Sequence, residues 1–335
     1  MKSRESMERR TAANASTEAA QRVGPGRTGE PEVRPASTGR RGHTRKKPGP
    51  GPLRRFFRTP KGSVLLVLLG LTVAGSIHAS DRPGIKNILI AMMMAAAIDV
   101  VVGLIRKNKR VLPDGGMVTG LIIGLVLSGS VHWPVTALAA GLAVVSKHVL
   151  KIGRKPIFNP AALALLVTLL FFHTGQSWWG DLADLPVLFL PLLIVGGYFI
   201  TSRVNKFPQV LTYLGTYFLL LTLAASLHLG NASFTPGDAL RVPLVNAALF
   251  MAFFMLTDPP TSPGKYGEQV TFSVLAAVVS VAIYLVVGGL AYLLIGLLVA
   301  NGWRALISWR SNRAIPRTGQ NGQGSPSPQR DEYYV

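Results

Sequence analysis

The chain has no cysteine among its 335 residues. That excludes disulfides, thiolate metal sites and protein-ligated iron–sulfur clusters, so any redox role needs a cofactor held by other chemistry. Charge is also scarce. Asp, Glu, Lys and Arg make up 15% of the residues, against about 25% in an ordinary soluble domain. No glycine-rich loop follows a predicted strand in the pattern that cradles a dinucleotide or triphosphate, which argues against a soluble nucleotide-binding enzyme. His78, His132, His173 and His228 are too dispersed to form a metal-ligand motif.

What the chain does have is hydrophobic length: 49% of its residues are hydrophobic. Apolar blocks alternate with short polar connectors from about residue 62 to 303. A soluble helical protein would show amphipathic stripes, whereas SVLLVLLGLTVAGSI and VVSVAIYLVVGGLAYLLIGLLVA are apolar all round. The pattern predicts an all-α polytopic membrane protein with about ten transmembrane helices, over 62–78, 85–105, 117–131, 134–150, 160–173, 186–200, 210–229, 244–256, 270–286 and 289–303. The last two come from one run too long for a bilayer core of about 30 Å, and Gly288-Gly289 is where it divides. Several spans fall short of the roughly 20 residues of a full crossing, as broken helices at a repeat interface do and as helices that tilt less or thin the bilayer locally also do. A repeat of two five-span halves is an expectation with little behind it here, because the two most distinctive segments do not fall at matching positions.

Loop charge tests the count. Short cytoplasmic loops collect Lys and Arg. With the N-terminus inside, the inner connectors are RKNKR (106–110), KIGRK (151–155), SRVNK (202–206), the Lys265 loop and the segment with Arg304, Arg310 and Arg313. The outer connectors hold Arg82 beside Asp81, no charge over 129–133, Asp181 with Asp184, and Asp238 with Arg241. Both termini are therefore expected in the cytoplasm. The formal net charge of +20 is concentrated at the start, where residues 1–61 hold 16 Lys and Arg against 5 Asp and Glu. That composition reads as a disordered basic tail able to touch anionic lipid, not as a nucleic-acid-binding domain. It is also too long a basic region for a signal peptide. Residues 304–335 read as a second polar cytoplasmic tail, flanking the transmembrane domain at 62–303.

Polarity enters the apolar blocks at few places. In PDGGMVTGLIIGLVLSG, Gly116, Gly120 and Gly124 make a smooth face suited to close helix packing or to a flat ligand. Thr119 is the polar group near it, with back-bonding to a carbonyl as its ordinary fate. In KHVLKIGRKPIFNPAAL, a basic mouth of Lys147, His148, Lys151, Arg154 and Lys155 precedes Asn159-Pro160. Asn at the cap and Pro in the first turn are helix-start chemistry. Asp99 lies at membrane depth near Arg106 and Lys107, so it is either a functional carboxylate on an ion path or half of a salt bridge. In FFMLTDPPTSPGKYG, Asp258 can cap or turn, Thr257 and Thr261 offer hydroxyls, and three prolines stiffen the backbone, which suits a preorganised pocket. Trp133, Trp178 and Trp179 fit anchoring at the membrane interface.

VTGLIIGLVLSG, GRKPIFNPAALA, FFMLTDPPTSP and the terminal GGLAYLLIGLLVANGW, in this order and spacing, resemble the RnfD/NqrB family. Its members are membrane components of the Rnf electron-transport complex and of the sodium-pumping NADH:quinone oxidoreductase. The resemblance covers roughly residues 62–303. It implies a bacterial inner-membrane protein, with other membrane and redox subunits as partners, in a complex that couples electron flow to ion movement. It also implies a flavin. Family members commonly carry FMN joined through its phosphate to a Thr in a Ser-Gly-Ala-Thr-like segment after IFNPA. HTGQSWWGDLADLPVL and FITSRV offer only Thr174, Ser177, Thr201 and Ser202, without that motif. The implied cofactor is then noncovalent FMN or riboflavin, with Thr119, Asn159, Thr257, Asp258 and Thr261 as candidate contacts and no general acid or base among them. Two rival readings are a transporter or channel on the same scaffold and a non-catalytic assembly protein that recruits through its basic tail.

Overall fold

The computed structural model describes residues 57, 59–78, 83–107, 113–153, 155–179, 189–229, 241–289 and 291–314. Of the tails expected over 1–61 and 304–335, residues 1–56, 58 and 315–335 lie outside the described residues, as do Asp81, Arg82, Arg154, Asp181, Asp184 and Asp238. Ten helices lie among the described residues: α1 (Pro60–His78), α2 (Pro83–Ile105), α3 (Asp114–Val126), α4 (Trp133–Val149), α5 (Pro160–Phe172), α6 (Leu190–Val204), α7 (Phe207–Ser226), α8 (Val242–Phe250), α9 (Tyr266–Val286) and α10 (Tyr292–Ala314). The last turns of α8 widen into a π-helix over Met251–Leu256. A two-residue hairpin, β1 (Lys151–Ile152) with β2 (Lys155–Pro156), turns at Gly153 with φ 62°.

This is an all-α membrane protein. Four helices, α2, α7, α9 and α10, are long and apolar enough to cross a bilayer, and five shorter apolar helices accompany them. Each predicted span has a helix, but with shifts. The helix expected over 117–131 ends at Val126, because Leu127 turns extended (φ −65°, ψ 146°) and bridges to Gln176. At the other end of the chain, α10 continues past residue 303 to Ala314, into what reads as tail. Gly288 and Gly289, with φ 71° and 73°, break the long run as expected.

The packing repeats after five helices. In the first half α1 packs on α3, α2 on α3 and α4, and α4 on α5. In the second half α6 packs on α8, α7 on the π segment and on α9, and α9 on α10. The halves meet through α1 with α6 and α5 with α10, pairs that the same shift exchanges with themselves. The third helix of each half ends in a loop whose carbonyls are held by an amide near the start of the second helix. Asn87 Nδ2 donates to the carbonyls of Gly129 (3.1 Å) and Val131 (2.7 Å) in α2's half. Gln209 Nε2 donates to that of Leu256 (2.8 Å) in α7's half. TDPPTSP thus corresponds to the loop after α3, not to IFNPA.

The glycine face of α3 is fully used by α2. A Cβ at Gly116, Gly120 or Gly124 would lie 2.6, 2.5 and 2.6 Å from the backbone of Ala95, Ala91 and Ile88, so close helix packing is the role this face performs. Behind α3, residues 173–179 return to cover its end: Ser177 N–H donates to the Val126 carbonyl at 2.7 Å. Trp178 and Trp179 do not anchor at an interface, for they are 5% and 2% exposed. Both adopt positive φ (49° and 68°), and the Trp179 indole donates to the Leu71 carbonyl at 2.9 Å. Trp133, 55% exposed, does sit on the outside. Replacing Gly120 by Ala forces α2 and α3 apart. Overpacking of this kind costs about 1–3 kcal/mol, to be read as a lowered melting temperature of the detergent-purified protein.

Candidate functional site

The proline-rich turn after α8 is largely buried, with Pro259 and Gly264 exposed, and burial leaves its backbone carbonyls in need of donors. Prolines 259, 260 and 263 remove three N–H groups from the stretch. The N–H groups of Thr261 and Ser262 close onto the Asp258 carbonyl at 3.1 and 2.9 Å. The carbonyls are answered from outside. Asn159 Nδ2 donates to that of Met255 at 3.0 Å and Gln209 Nε2 to that of Leu256. Arg304 spans two, giving Nη2 to Pro260 (3.0 Å) and Nη1 to Ser262 (3.2 Å). Asn301 Nδ2 takes Thr261 (3.1 Å), Lys206 Nζ takes Pro263 and Gln269 Nε2 takes Gly264 (2.9 Å). Six side chains, reaching in from α5, α7, α9, α10 and the residue before α7, therefore hold one turn.

The two distinctive segments meet at Asn159. Its Oδ1 caps α5 by accepting from the Ala162 N–H at 3.0 Å, while its own N–H donates to Asn301 Oδ1 at 2.8 Å. Of the predicted contacts, Asn159, Thr257, Asp258 and Thr261 come together here. Their hydrogen-bonding groups are largely engaged. Thr257 donates back to the Phe253 carbonyl (2.6 Å) and Thr261 donates to Asp258 Oδ2 (2.9 Å). Thr119 stands apart on α3 and back-bonds to the Gly115 carbonyl at 2.8 Å.

Asp99 belongs to a second cluster. Its partner is Lys147 at 2.6 Å, not Arg106 or Lys107. Its other oxygen accepts the Gly116 N–H at 3.0 Å, in the first turn of α3 where a negative charge is favoured. Arg106 instead lies 3.0 Å from His148 Nδ1, and Lys61 pairs with Asp114 at 3.3 Å. The fields of Lys61, Lys147 and Arg304 all reach Asp258, so both clusters occupy one end of the bundle.

Two groups in the turn have shifted proton affinities. Burial lowers the Lys206 ammonium from 10.5 to about 8, helped by the Arg304 charge and opposed by Asp258. Burial raises the Asp258 carboxyl above its ordinary 3.8, against the pull of the Thr261 hydroxyl. Sequence reasoning missed Gln209, Gln269, Asn301 and the cationic pair Lys206 and Arg304 as parts of the site. The available signal was an amide alone in an apolar helix, which must find a partner at membrane depth.

The fit to a flavin can be tested on these contacts. A flavin between the Gly-spaced helix and the two turns would need the glycine face, which α2 covers. It would also need the Asn159 amide, whose oxygen and nitrogen are both engaged. Neither the glycine face nor the Asn159 amide is open to a flavin in that placement. Among the described residues no group of three His, Asp or Glu side chains could hold a metal ion. No protein-family model matches the chain, and no curated protein matches it as a relative.

Removing the Asn301 amide by substitution with Ala strands the Asn159 N–H and the Thr261 carbonyl. Each buried orphan costs about 1–3 kcal/mol, so the thermal midpoint should fall well below that of an exposed control such as Lys265→Ala. The Lys206 shift sets a pH dependence with a definite sign. Between pH 8 and 10.5 the unfolded chain holds a proton that the folded chain releases, so this contribution to stability is complete above 10.5 and lost as pH falls through about 8. The melting temperature of the native protein should accordingly rise across that window relative to Lys206→Met.

Proposed function

We propose that the chain is a membrane subunit of an ion-coupled electron-transport complex of the kind that passes electrons between ferredoxin and NAD or from NADH to quinone. The observation that supports this reading is the contact of Asn159 with the Met255 carbonyl. Two of the four segments that carry the family resemblance, IFNPA and TDPPTSP, far apart in sequence, are parts of one unit. In this reading ten helices cross the bacterial inner membrane with both termini cytoplasmic. The clamped turn then lies at the cytoplasmic end, beside Lys61, Lys147, Lys206 and Arg304. An odd number of helices per half makes the two halves opposite in orientation, the arrangement that secondary transporters place around a midplane path.

The clamp makes the turn a rigid foundation for partner subunits and for the ends of α5, α7, α9 and α10. A flavin, if the chain carries one, supplies electron transfer from a place other than the candidate set; the protein residues described here hold the fold around it. A second reading, a transporter without redox chemistry, is favoured by the same engaged side chains together with the five-helix repeat. There Asp99, paired with Lys147, lines the ion path. The visible spectrum and intact mass of the mildly solubilised protein separate the two. Flavin absorbance with an unshifted protein mass, or copurification of redox subunits, is the expected result. Protein that carries no flavin, binds none and brings no redox partner would overturn the redox reading.

A further inference from the structure

Two cations meet at the end of the turn after α8, and neither has an ion-pair partner among the described residues. Arg304 Nη1 donates to the Ser262 carbonyl at 3.2 Å, and Lys206 Nζ donates to the carbonyl of the next residue, Pro263. Consecutive Cα atoms lie about 3.8 Å apart, so neighbouring residues hold the guanidinium and the ammonium close together. Like charges disfavour each other's charged form. Burial, and after it the Arg304 charge, lower the Lys206 ammonium from 10.5 to about 8, which leaves it charged at pH 7.

The carboxylates do not answer this charge. The described residues include four, and three are spent elsewhere: Asp114 on Lys61, Asp99 on Lys147 and Glu268 on Lys265. The fourth, Asp258, reaches both cations only through its field, as Glu268 does, and Lys155 of β2 adds a third positive charge at Lys206. Asp258 Oδ2 accepts from the Thr261 hydroxyl, and burial raises this carboxyl above its ordinary 3.8. A buried cation without a counter-charge is costly, which is why such groups are found paired. No described group completes the pair here.

Donors are left over as well. An ammonium has three N–H groups and a guanidinium five, yet Lys206 serves one acceptor and Arg304 two. Arg304 Nε is buried without a partner. So is the hydroxyl of Ser262, a residue 3% exposed whose carbonyl Arg304 already holds. Arg304 is half-buried, and Gly264 and Lys155 are exposed, so the cations stand at the edge of the bundle where an ion can reach them. We propose that Lys206, Arg304 and Ser262 form a binding site for a phosphate group. The guanidinium edge at Nε, the two spare N–H groups of the ammonium and the Ser262 hydroxyl offer several donors to the several oxygens of one phosphate, whereas a halide offers a single centre. The negative charge lies between the two cations and relieves their repulsion. An anionic phospholipid headgroup and a soluble phosphate both carry this group.

The inference does not depend on flavin or on redox partners. Its test is the melting temperature of the full chain, purified in detergent and phosphate-free buffer. A ligand that binds the folded chain raises that temperature in a saturable way. Inorganic phosphate should do so, and sodium chloride at the same ionic strength should not. Ser262→Ala removes a hydroxyl that makes no hydrogen bond. Without phosphate it should melt with the native protein, yet it should need severalfold more phosphate for the same shift. Lys206→Gln removes one of the two charges and should abolish the response. Lys265→Ala, at an exposed lysine outside the site, should respond like the native protein. Mixed micelles of phosphatidylglycerol, compared with phosphatidylcholine, separate the two sources. A rise with phosphatidylglycerol but not with inorganic phosphate assigns the site to a lipid headgroup, and the reverse assigns it to a soluble phosphate. No rise with either, a rise matched by chloride or by phosphatidylcholine alone, or a Ser262→Ala variant that responds like the native protein would overturn the proposal.

Discussion

Carbonyls that lie in an apolar interior must find donors, and in this protein the donors for one turn come from four other helices and a neighbouring lysine. Asn159, Lys206, Gln209, Gln269, Asn301 and Arg304 converge on the backbone from Met255 to Gly264. Prolines make this possible by removing N–H groups that would compete for the same oxygens. What remains is a stretch of acceptors with a fixed shape. The positions of α5, α7, α9 and α10 follow from it, because each must present a specific side chain at a specific carbonyl. Within lipid the hydrophobic effect does not draw helices together, so packing and directed bonds of this kind decide which faces meet.

The helices themselves were legible, since each is an apolar block bounded by prolines, glycines or charge. Asn159-Pro160 announced the start of α5, and the structure places the cap there. The end of α3 was only partly legible. Ser128-Gly129-Ser130 inside the expected span is a turn signal, but the pairing of Leu127 and its neighbours with residues 174–179 is a contact made across the fold. Trp178 and Trp179 misled for a related reason: tryptophans near a predicted membrane edge read as anchors, and nothing local reveals that a returning segment carries them inward. In the site, the stiffness of TDPPTSP could be read from its prolines, whereas its donors could not. They lie between 5 and 96 positions from the carbonyls they serve, as at Gln269 with Gly264 and Asn159 with Met255. Packing alone brings them together.

The two halves share an arrangement but not a chemistry. In the first, small residues let α2 lie directly on α3, and the buried residues of α4 and α5 are mostly alanines. Its paired charges gather at one end, where Asp99 joins Lys147 and the first turn of α3. In the second, α7 buries Gln209, Tyr213 and Tyr217, and α9 buries Gln269, Ser273 and Ser280. One half is thus a close-packed support and the other carries polar groups through the interior, a division of labour that the repeated helix order by itself does not impose.

The bond from the Asn159 N–H to Asn301 Oδ1 joins residues 142 positions apart. During synthesis α5 enters the bilayer long before its partner exists. At about 5–20 residues per second, the wait before Asn301 is made is roughly 7–28 s. Over that interval the start of α5 must be kept from other partners by the insertion machinery, by lipid headgroups or by water at the membrane surface. The turn after α8 waits in turn for α9 and α10 to supply Gln269, Asn301 and Arg304. Truncated chains that stop before α10 are therefore left with an open, acceptor-rich surface. Quality control in the membrane can recognise that surface as the mark of an unfinished protein.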